Sequence, residues 1–362
     1  CNWEKIYKNI RMIQIKDLSI GYREKNKEKV IAAHINADIH GGELTCLLGT
    51  NGVGKSTLLR TLSAFQPKLN GSIYIEGKEL GDYTDKQLAR MVSVVLTEKC
   101  DIRNLSVTNL IGMGRSPYTG FWGTLRKEDR AVIDRAISLT GIEPLAHRMV
   151  HTLSDGERQK VMISKALAQE TPIILLDEPT AFLDYPSKVE MMQLLHRLSR
   201  QTGKTIFLST HDLELALQAA DCLWLMSPSE GIAVGTPEDL ALDGRLARFF
   251  VRRGVRFDEH SGLFRVEFTC HTRLRLTGEG QRYTMVRKAL RRNGIEANRE
   301  VETEYGIRID ESGYTFCRNA EPVASVTSIR QVVEVVRSAL YSGNGSDSRC
   351  QGINSKPWNN SL

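Results

Sequence analysis

No apolar run in the 362 residues approaches the roughly 18 needed to cross a bilayer, so no segment reads as a membrane span. Cysteine pairs are missing as well. Cys1, Cys46, Cys100, Cys222, Cys270, Cys317 and Cys350 are scattered without a CxxC, which argues for a reducing compartment and against a structural zinc site. Residues 1–11 are polar and hold no apolar stretch, so they are no secretory signal. Met12 reads as the more natural start, and 1–11 are expected to be a non-native or disordered lead. No internal repeat of the solenoid kind is present. Wholesale disorder is excluded too, because 41% hydrophobic and 25% charged residues are globular proportions.

The charge that is present is uneven. The chain totals +6, yet residues 245–300 hold 14 Lys+Arg against 6 Asp+Glu, a local net of +8. Such a segment reads either as a contact for nucleic acid or anionic lipid, or as an ordinary solvated face.

Over the first 235 residues, strand-like and helix-like patterns alternate. Met12–Ile20, Val30–Ile39 and Gly71–Glu76 predict an antiparallel sheet at the N-terminal end. Leu44–Gly49, Val92–Leu96, Ile173–Asp177, Thr205–Ser209 and Cys222–Met226 are compact apolar runs that suit buried parallel strands. Helices are expected over Lys55–Ser63, Lys127–Leu139, Glu157–Ala168, Ser187–Arg200 and Leu213–Ala219. This alternation predicts an α/β fold around a parallel core sheet, with a helical subdomain inserted at about 100–165. A new pattern starts near residue 260. Strands are expected over Leu263–Cys270, Arg273–Thr277, Tyr305–Ile309, Tyr314–Cys317 and Val323–Val326, and helices over Gln281–Arg292 and Ser328–Ala339. The division predicted is therefore 12–260, a small α/β module at 261–340, and a disordered tail at 341–362 rich in Gly, Ser and Asn.

The strand Leu44–Leu48 runs into Gly49-Thr50-Asn51-Gly52-Val53-Gly54-Lys55-Ser56-Thr57 and then a helix. This is the G-x-x-x-x-G-K-[ST] phosphate loop of the P-loop NTPases, in its strand–loop–helix setting. The glycines let backbone N–H groups converge on a polyphosphate, and the helix N-terminus adds its positive dipole end. Lys55 is expected on the β and γ phosphates and Ser56 on Mg²⁺, which makes the chain a nucleoside-triphosphate binder. A second buried strand ends in Asp177-Glu178. Beside a phosphate loop, Asp177 is placed to hold Mg²⁺ and Glu178 to polarise the attacking water. Taken alone the pair is also a common acidic strand-to-loop turn.

These two features do not decide function, since many enzyme classes share them. Leu153-Ser154-Asp155-Gly156-Glu157, opening a helix 19 residues before the Ile173 strand, resembles the LSGGQ signature of ATP-binding cassette (ABC) ATPases. Ser209-Thr210-His211-Asp212 resembles their switch histidine, although His211 by itself would pass for a capping or core histidine. Ala181-Phe182-Leu183-Asp184 is similar to their D-loop, and Tyr22 to the aromatic that stacks on adenine. The resemblance covers roughly 12–255. It implies an ATPase that works as a head-to-tail homodimer, in which Ser154 and Gly156 complete the γ-phosphate shell held by the partner's Lys55, Asp184 also binds nucleotide, and His211 joins Glu178 at the γ-phosphate. Three positions depart from the pattern: Glu98 stands where a Mg²⁺-binding glutamine is expected, and the signature has Asp155 for Gly and Glu157 for Gln.

The run Ser106-Val107-Thr108-Asn109-Leu110-Ile111-Gly112-Met113-Gly114-Arg115-Ser116-Pro117-Tyr118 looks like one found in ABC importers for iron(III)-siderophores, haem and vitamin B12. The same residues also read simply as a helix stop. The resemblance implies a peripheral subunit on the cytoplasmic face of the membrane, powering integral membrane permease subunits and, through them, a substrate-binding protein. No nucleic acid is expected as a partner. The competing class is a soluble ABC ATPase acting on nucleic acid through the basic segment. Against it stand a single phosphate loop, 98 positions between Lys55 and Leu153, no heptad array and no CxxC. The C-terminal module is further read as regulatory or dimer-stabilising.

Overall fold

Alternating apolar residues at the start of the chain form two long paired strands, β1 (Arg11–Glu24) and β2 (Lys27–His40), which place Ile13 against Ile39 and Ile15 against Ala37. Then come β3 (Leu44–Gly49), α1 (Lys55–Leu62), β4 (Asn70–Ile75), β5 (Lys78–Glu79) and β6 (Val92–Val95). A helical stretch follows, with α2 (Val107–Gly112), α3 (Lys127–Thr140) and α4 (Asp155–Ala168). The chain returns through β7 (Ile173–Asp177), α5 (Tyr185–Thr202), β8 (Thr205–Thr210), α6 (Leu213–Ala219), β9 (Cys222–Ser227) and β10 (Gly231–Gly235). Two short helices, α7 (Pro237–Leu242) and α8 (Arg245–Phe250), close this part. The computed structural model describes residues 10–24, 27–97, 104–120, 123–228, 231–250, 255–258, 263–310 and 313–341.

Two sheets result. The antiparallel one has the order β2-β1-β4-β5, and the core sheet runs β10-β9-β3-β8-β7-β6, parallel except for β10. The core strands are apolar without a break because both their faces are covered. Leu44, Cys46, Leu48, Ile174, Leu176, Ile206 and Leu208 join one cluster with the helices of 107–216. Leu47, Leu175, Phe207 and Trp224 point the other way, to α1 and the antiparallel sheet. Phe207 and Trp224 meet there edge to face, with centroids 5.0 Å apart. Arg11, expected in the lead, belongs instead to the antiparallel sheet, where it pairs with His40, and Ile10 O just before it accepts from Gly41 N at 2.9 Å. Residues 1–9 lie outside the described residues.

The chain divides into two compact units, with the boundary at residues 253–265, in a ribbon of β11 (Val255–Asp258) and β12 (Leu263–Val266). The expected strand Leu263–Cys270 thus stops at Val266, and residues 267–270 have no ladder partner. The second unit contains β13 (Thr272–Thr277), α9 (Gly280–Arg292), β14 (Ile295–Asn298), β15 (Tyr305–Ile309), β16 (Tyr314–Arg318), β17 (Glu321–Val326) and α10 (Ile329–Tyr341). Its sheet order is β14-β13-β15-β16-β17, with β13 parallel to β14 and β15 and the remaining pairs antiparallel. Val286 and Leu290 of α9 and Val332 and Val336 of α10 pack on Leu274, Leu276, Ile307 and Phe316. Tyr341, expected at the head of the tail, ends α10, and 342–362 lie outside the described residues. β10 and β14, which the sequence reading missed, are short strands of five and four residues.

Candidate nucleotide site

The site is built at the carboxyl ends of β3, β7 and β8. β3 ends at Gly49, and the loop after it turns straight into α1 through Gly52 (φ +79°) and Gly54 (φ +111°). Gly54 is held there by close packing as well, since a Cβ would lie 2.5 Å from Ile31 Cγ2. Within the loop, Val53 N donates to Thr50 O at 3.3 Å, while Asn51 is exposed. No side chain caps α1, so its first N–H groups face an anion site rather than a capping oxygen. Lys55 is buried, and its Nζ donates to Gly49 O at 3.0 Å and Thr50 O at 3.3 Å. That burial holds the Lys55 ammonium below the usual lysine range, against the pull of Glu178 and Asp177.

The parallel register sets Asp177 beside Ser209. Asp177 Oδ1 accepts from Ser209 Oγ at 2.7 Å and from Ser56 Oγ at 3.0 Å, and Thr97 Oγ1 donates to its main-chain oxygen at 2.7 Å. Ser209 also accepts from Glu178 N at 2.9 Å, so one hydroxyl ties both acids in place. Glu178 takes a left-handed φ of +48°, a costly conformation for a non-glycine residue that turns its carboxylate off the strand. His211 Nε2 lies 2.5 Å from Glu178 Oε1, and His211 Nδ1 lies 3.4 Å from Lys55 Nζ. A hydroxyl and a carboxylate as adjacent hard oxygen donors suit Mg²⁺, which takes few protein ligands and completes its shell from phosphate and water. Among the described residues no cluster of three or more His, Cys, Asp or Glu gathers. Glu98, the third expected metal ligand, lies outside them.

Tyr22 stands on β1 with its hydroxyl 3.1 Å from Thr57 Oγ1 and its ring exposed beside α1. Ser154 is the N-cap of α4. Glu157 N donates to Ser154 Oγ at 3.2 Å, and Ser154 N donates to Glu157 Oε2 at 2.8 Å. This reciprocal capping box accommodates Glu as well as Gln, which gives the departure at Glu157 a structural reason. The backbone N–H of Ser154 holds the Glu157 carboxyl below its usual range. Gly156 lies near Leu183, a Cβ there meeting Leu183 Cδ2 at 3.7 Å, and Asp184 caps α5 by accepting from Ser187 N at 3.1 Å. One chain thus brings Lys55, Ser56, Asp177, Glu178 and His211 together. Among the described residues, Ser154, Gly156 and Asp184 have no hydrogen bond to that cluster.

Sequence reasoning missed the supports. Ser209 and Asp212 flank His211, but their roles depend on the register of β7 against β8. Asp212 Oδ2 accepts from Thr180 Oγ1 at 2.9 Å and Oδ1 from Lys188 Nζ at 3.0 Å, which binds the histidine turn to the start of α5. Asp212→Asn is therefore expected to lower turnover roughly ten-fold by loosening His211. The fold should lose about 1 kcal/mol or less, because this ion pair is partly solvated. Steady-state ATPase assays beside thermal melts separate the two effects, and an unchanged rate removes Asp212 from the site's support.

Residues 32–181 match the ABC transporter family, and residues 270–337 match the iron ABC transporter C-terminal domain. An uncharacterized ABC transporter ATP-binding protein of Methanocaldococcus jannaschii is 36% identical over 256 residues, 71% of this chain and 87% of the relative. The ferric enterobactin transport ATP-binding protein FepC of Escherichia coli is 32% identical over 69% of this chain and 91% of its own length. Among solved structures, cbiO1 from Clostridium perfringens, part of the ABC transporter complex cbiONQ, aligns at a TM-score of 0.58 and 28% identity. That alignment covers 66% of this chain and 94% of the other.

Proposed function

The chain belongs to the ABC transporter ATP-binding family and is an ATP-hydrolysing subunit, and on that premise we propose that it powers import of an iron-siderophore, haem or cobalamin. The observation that carries the reading is the contact of His211 with Glu178 beside Lys55, at the end of a strand that also presents Asp177. Support for the substrate group comes from the relative for ferric enterobactin and from the iron-transporter match over residues 270–337.

In the proposed mechanism Lys55 and the N–H groups of the phosphate loop bind the ATP phosphates. Ser56 and Asp177 would hold Mg²⁺, which neutralises charge on the phosphate oxygens when bound. Glu178 accepts the proton of the attacking water, and His211, held against it, donates to the γ-phosphate. Ser154 and Gly156 serve the partner protomer's nucleotide, their α4 N-terminus adding a second anion-binding end. Two chains close head to tail on ATP and reopen after hydrolysis, a ligand-driven two-state switch. Adenine would stack on Tyr22. The partners in this reading are integral membrane permease subunits and, through them, a substrate-binding protein, with the chain peripheral on the cytoplasmic face. Among the described residues no helix is long and apolar enough to cross a membrane. The nucleic-acid alternative gains no support, as the relatives above are transport proteins.

The test is co-expression with a multi-span permease encoded beside this chain. The expected result is a membrane complex whose ATP hydrolysis is stimulated by substrate-loaded binding protein. A chain that stays apart from every such permease, with ATPase unaffected by it, overturns the transport reading.

A further inference from the structure

The basic segment seen in the sequence has no part in the nucleotide site. Part of its charge is neutralised locally: Arg245 pairs with Asp243, Arg273 with Glu296 and Arg299 with Glu279. Helix α9 is different. Its thirteen residues, Gly280–Arg292, include no acid. Val286, Ala289 and Leu290 are buried and seat the helix on its sheet. At about 100° per residue, the opposite side presents Arg287, Arg291, Thr284, Lys288 and Arg292 within an arc of roughly 140°. All five are exposed. Among the described residues, no carboxylate lies within ion-pair distance of Arg287, Lys288, Arg291 or Arg292. Arg287 and Arg291, and likewise Lys288 and Arg292, stand one turn apart, a like-charge spacing that destabilises a helix. A row of cations kept at that cost calls for an external counter-charge.

We propose that this face of α9 docks on anionic phospholipid headgroups at the membrane surface. The charge is complementary to such a surface, and juxtamembrane Lys and Arg each strengthen attachment roughly five-fold. The stripe carries no exposed aromatic of the kind that stacks on single-stranded bases: Tyr283 is half-buried under Arg299, 5.5 Å from its ring centroid. Met285, exposed at the edge of the arc, adds an apolar contact suited to a headgroup layer. The inference rests on the importer reading only in placing the chain at a membrane, and the C-terminal unit supplies a second, permease-independent hold there.

Flotation of the full chain tests it, using vesicles of phosphatidylcholine alone or mixed two to one with phosphatidylglycerol. The wild-type chain is expected to float with the mixed vesicles only, and to be released at about 0.5 M salt. Arg287→Gln with Arg291→Gln should weaken that binding roughly 25-fold, and all four substitutions together by two to three orders of magnitude. Arg273→Gln with Arg275→Gln, on β13, should leave it unchanged. ATP hydrolysis in solution and circular dichroism certify each variant, and the double substitution suffices should the quadruple one misfold. Equal flotation with both vesicle types overturns the proposal. So does wild-type binding to duplex DNA or RNA that the α9 variants lose while flotation stays unchanged. Failure here with intact permease-coupled ATPase sinks this inference alone, and failure of that coupling sinks the transport reading instead.

Discussion

Glu178→Gln is expected to slow ATP turnover by about 10²–10⁴-fold, the range for losing a positioned general base. Glutamine is nearly isosteric and keeps a donor–acceptor end for His211, but it cannot take a proton from water. Nucleotide binding depends on other atoms, the loop N–H groups and Lys55, so ATP should still bind. With the negative charge at the γ-phosphate reduced, the ATP-closed dimer should accumulate rather than pass through. Rapid-quench assays measure the chemical step, and size-exclusion chromatography with ATP measures the dimer. Turnover within three-fold of the wild type would falsify the assignment of Glu178.

The second large effect is structural. Arg115 lies in the Gly114–Tyr118 run and is buried, with 7% of its side chain exposed. Its Nε donates to Asp129 Oδ1 at 2.9 Å, and one terminal nitrogen donates to Ala168 O at 2.9 Å and Glu170 Oε2 at 2.7 Å. The guanidinium sits 4.1 Å from the centroid of the Tyr118 ring, and Arg90 donates to Pro117 O at 3.1 Å. One side chain thus ties the end of α2, the start of α3 and the end of α4. Beside it Gly114 lets α4 approach so closely that a Cβ would stand 2.3 Å from Lys165 O. Arg115→Met is expected to cost about 3–5 kcal/mol, since it strands a buried carboxylate and a buried carbonyl. At roughly 2–4 °C per kcal/mol for a unit of this size, Tm should fall by about 6–20 °C. Adding Asp129→Leu removes the stranded charge, so the double variant should recover part of the loss. A melt unchanged by Arg115→Met would show the tie to be idle.

The same tie predicts an acid sensitivity. The backbone N–H of Arg126 first, and then the Arg115 guanidinium, hold the Asp129 carboxyl below the ordinary aspartate range. A depressed carboxyl contributes stability that is complete above its unfolded pKa and is lost as pH falls through the folded one. The stability gap between the wild type and Arg115→Met should therefore be widest above the ordinary aspartate range and narrow as pH falls below it, which melts of both proteins across an acid series would show.

These residues show where sequence reading ends. The phosphate loop, the Asp177-Glu178 pair, His211 and the capped signature helix were legible because each is local: a few consecutive residues determine the turn, the cap or the strand end. The core strands were legible because burial on both faces leaves an unbroken apolar run, and β3, β7 and α6 begin and end where the residues predict. β10, bounded by glycine at both ends, and β14, with only two apolar residues, lack the unbroken apolar run that marked the other short strands. The importer-like run was seen as a helix stop and a family mark, but its Arg115 bonds to residues 14 and 55 positions away, a distance no local pattern encodes.

The sequence by itself determined the groups on offer, namely a phosphate loop, an Asp-Glu pair at a strand end and a histidine, in one order along the chain. Tertiary structure alone decided which side chains support that chemistry, because support depends on strand register and helix contact. Only the pairing of β7 with β8 lets the Ser209 hydroxyl reach both Asp177 and the Glu178 N–H. The sequence likewise located an excess of positive charge at residues 245–300 but not which of those side chains stand together on one face. Folding pairs Arg245, Arg273 and Arg299 with acids and sets Arg287, Lys288, Arg291 and Arg292 as a solvent-facing stripe on α9, because Val286, Ala289 and Leu290 take the other side of that helix into the core.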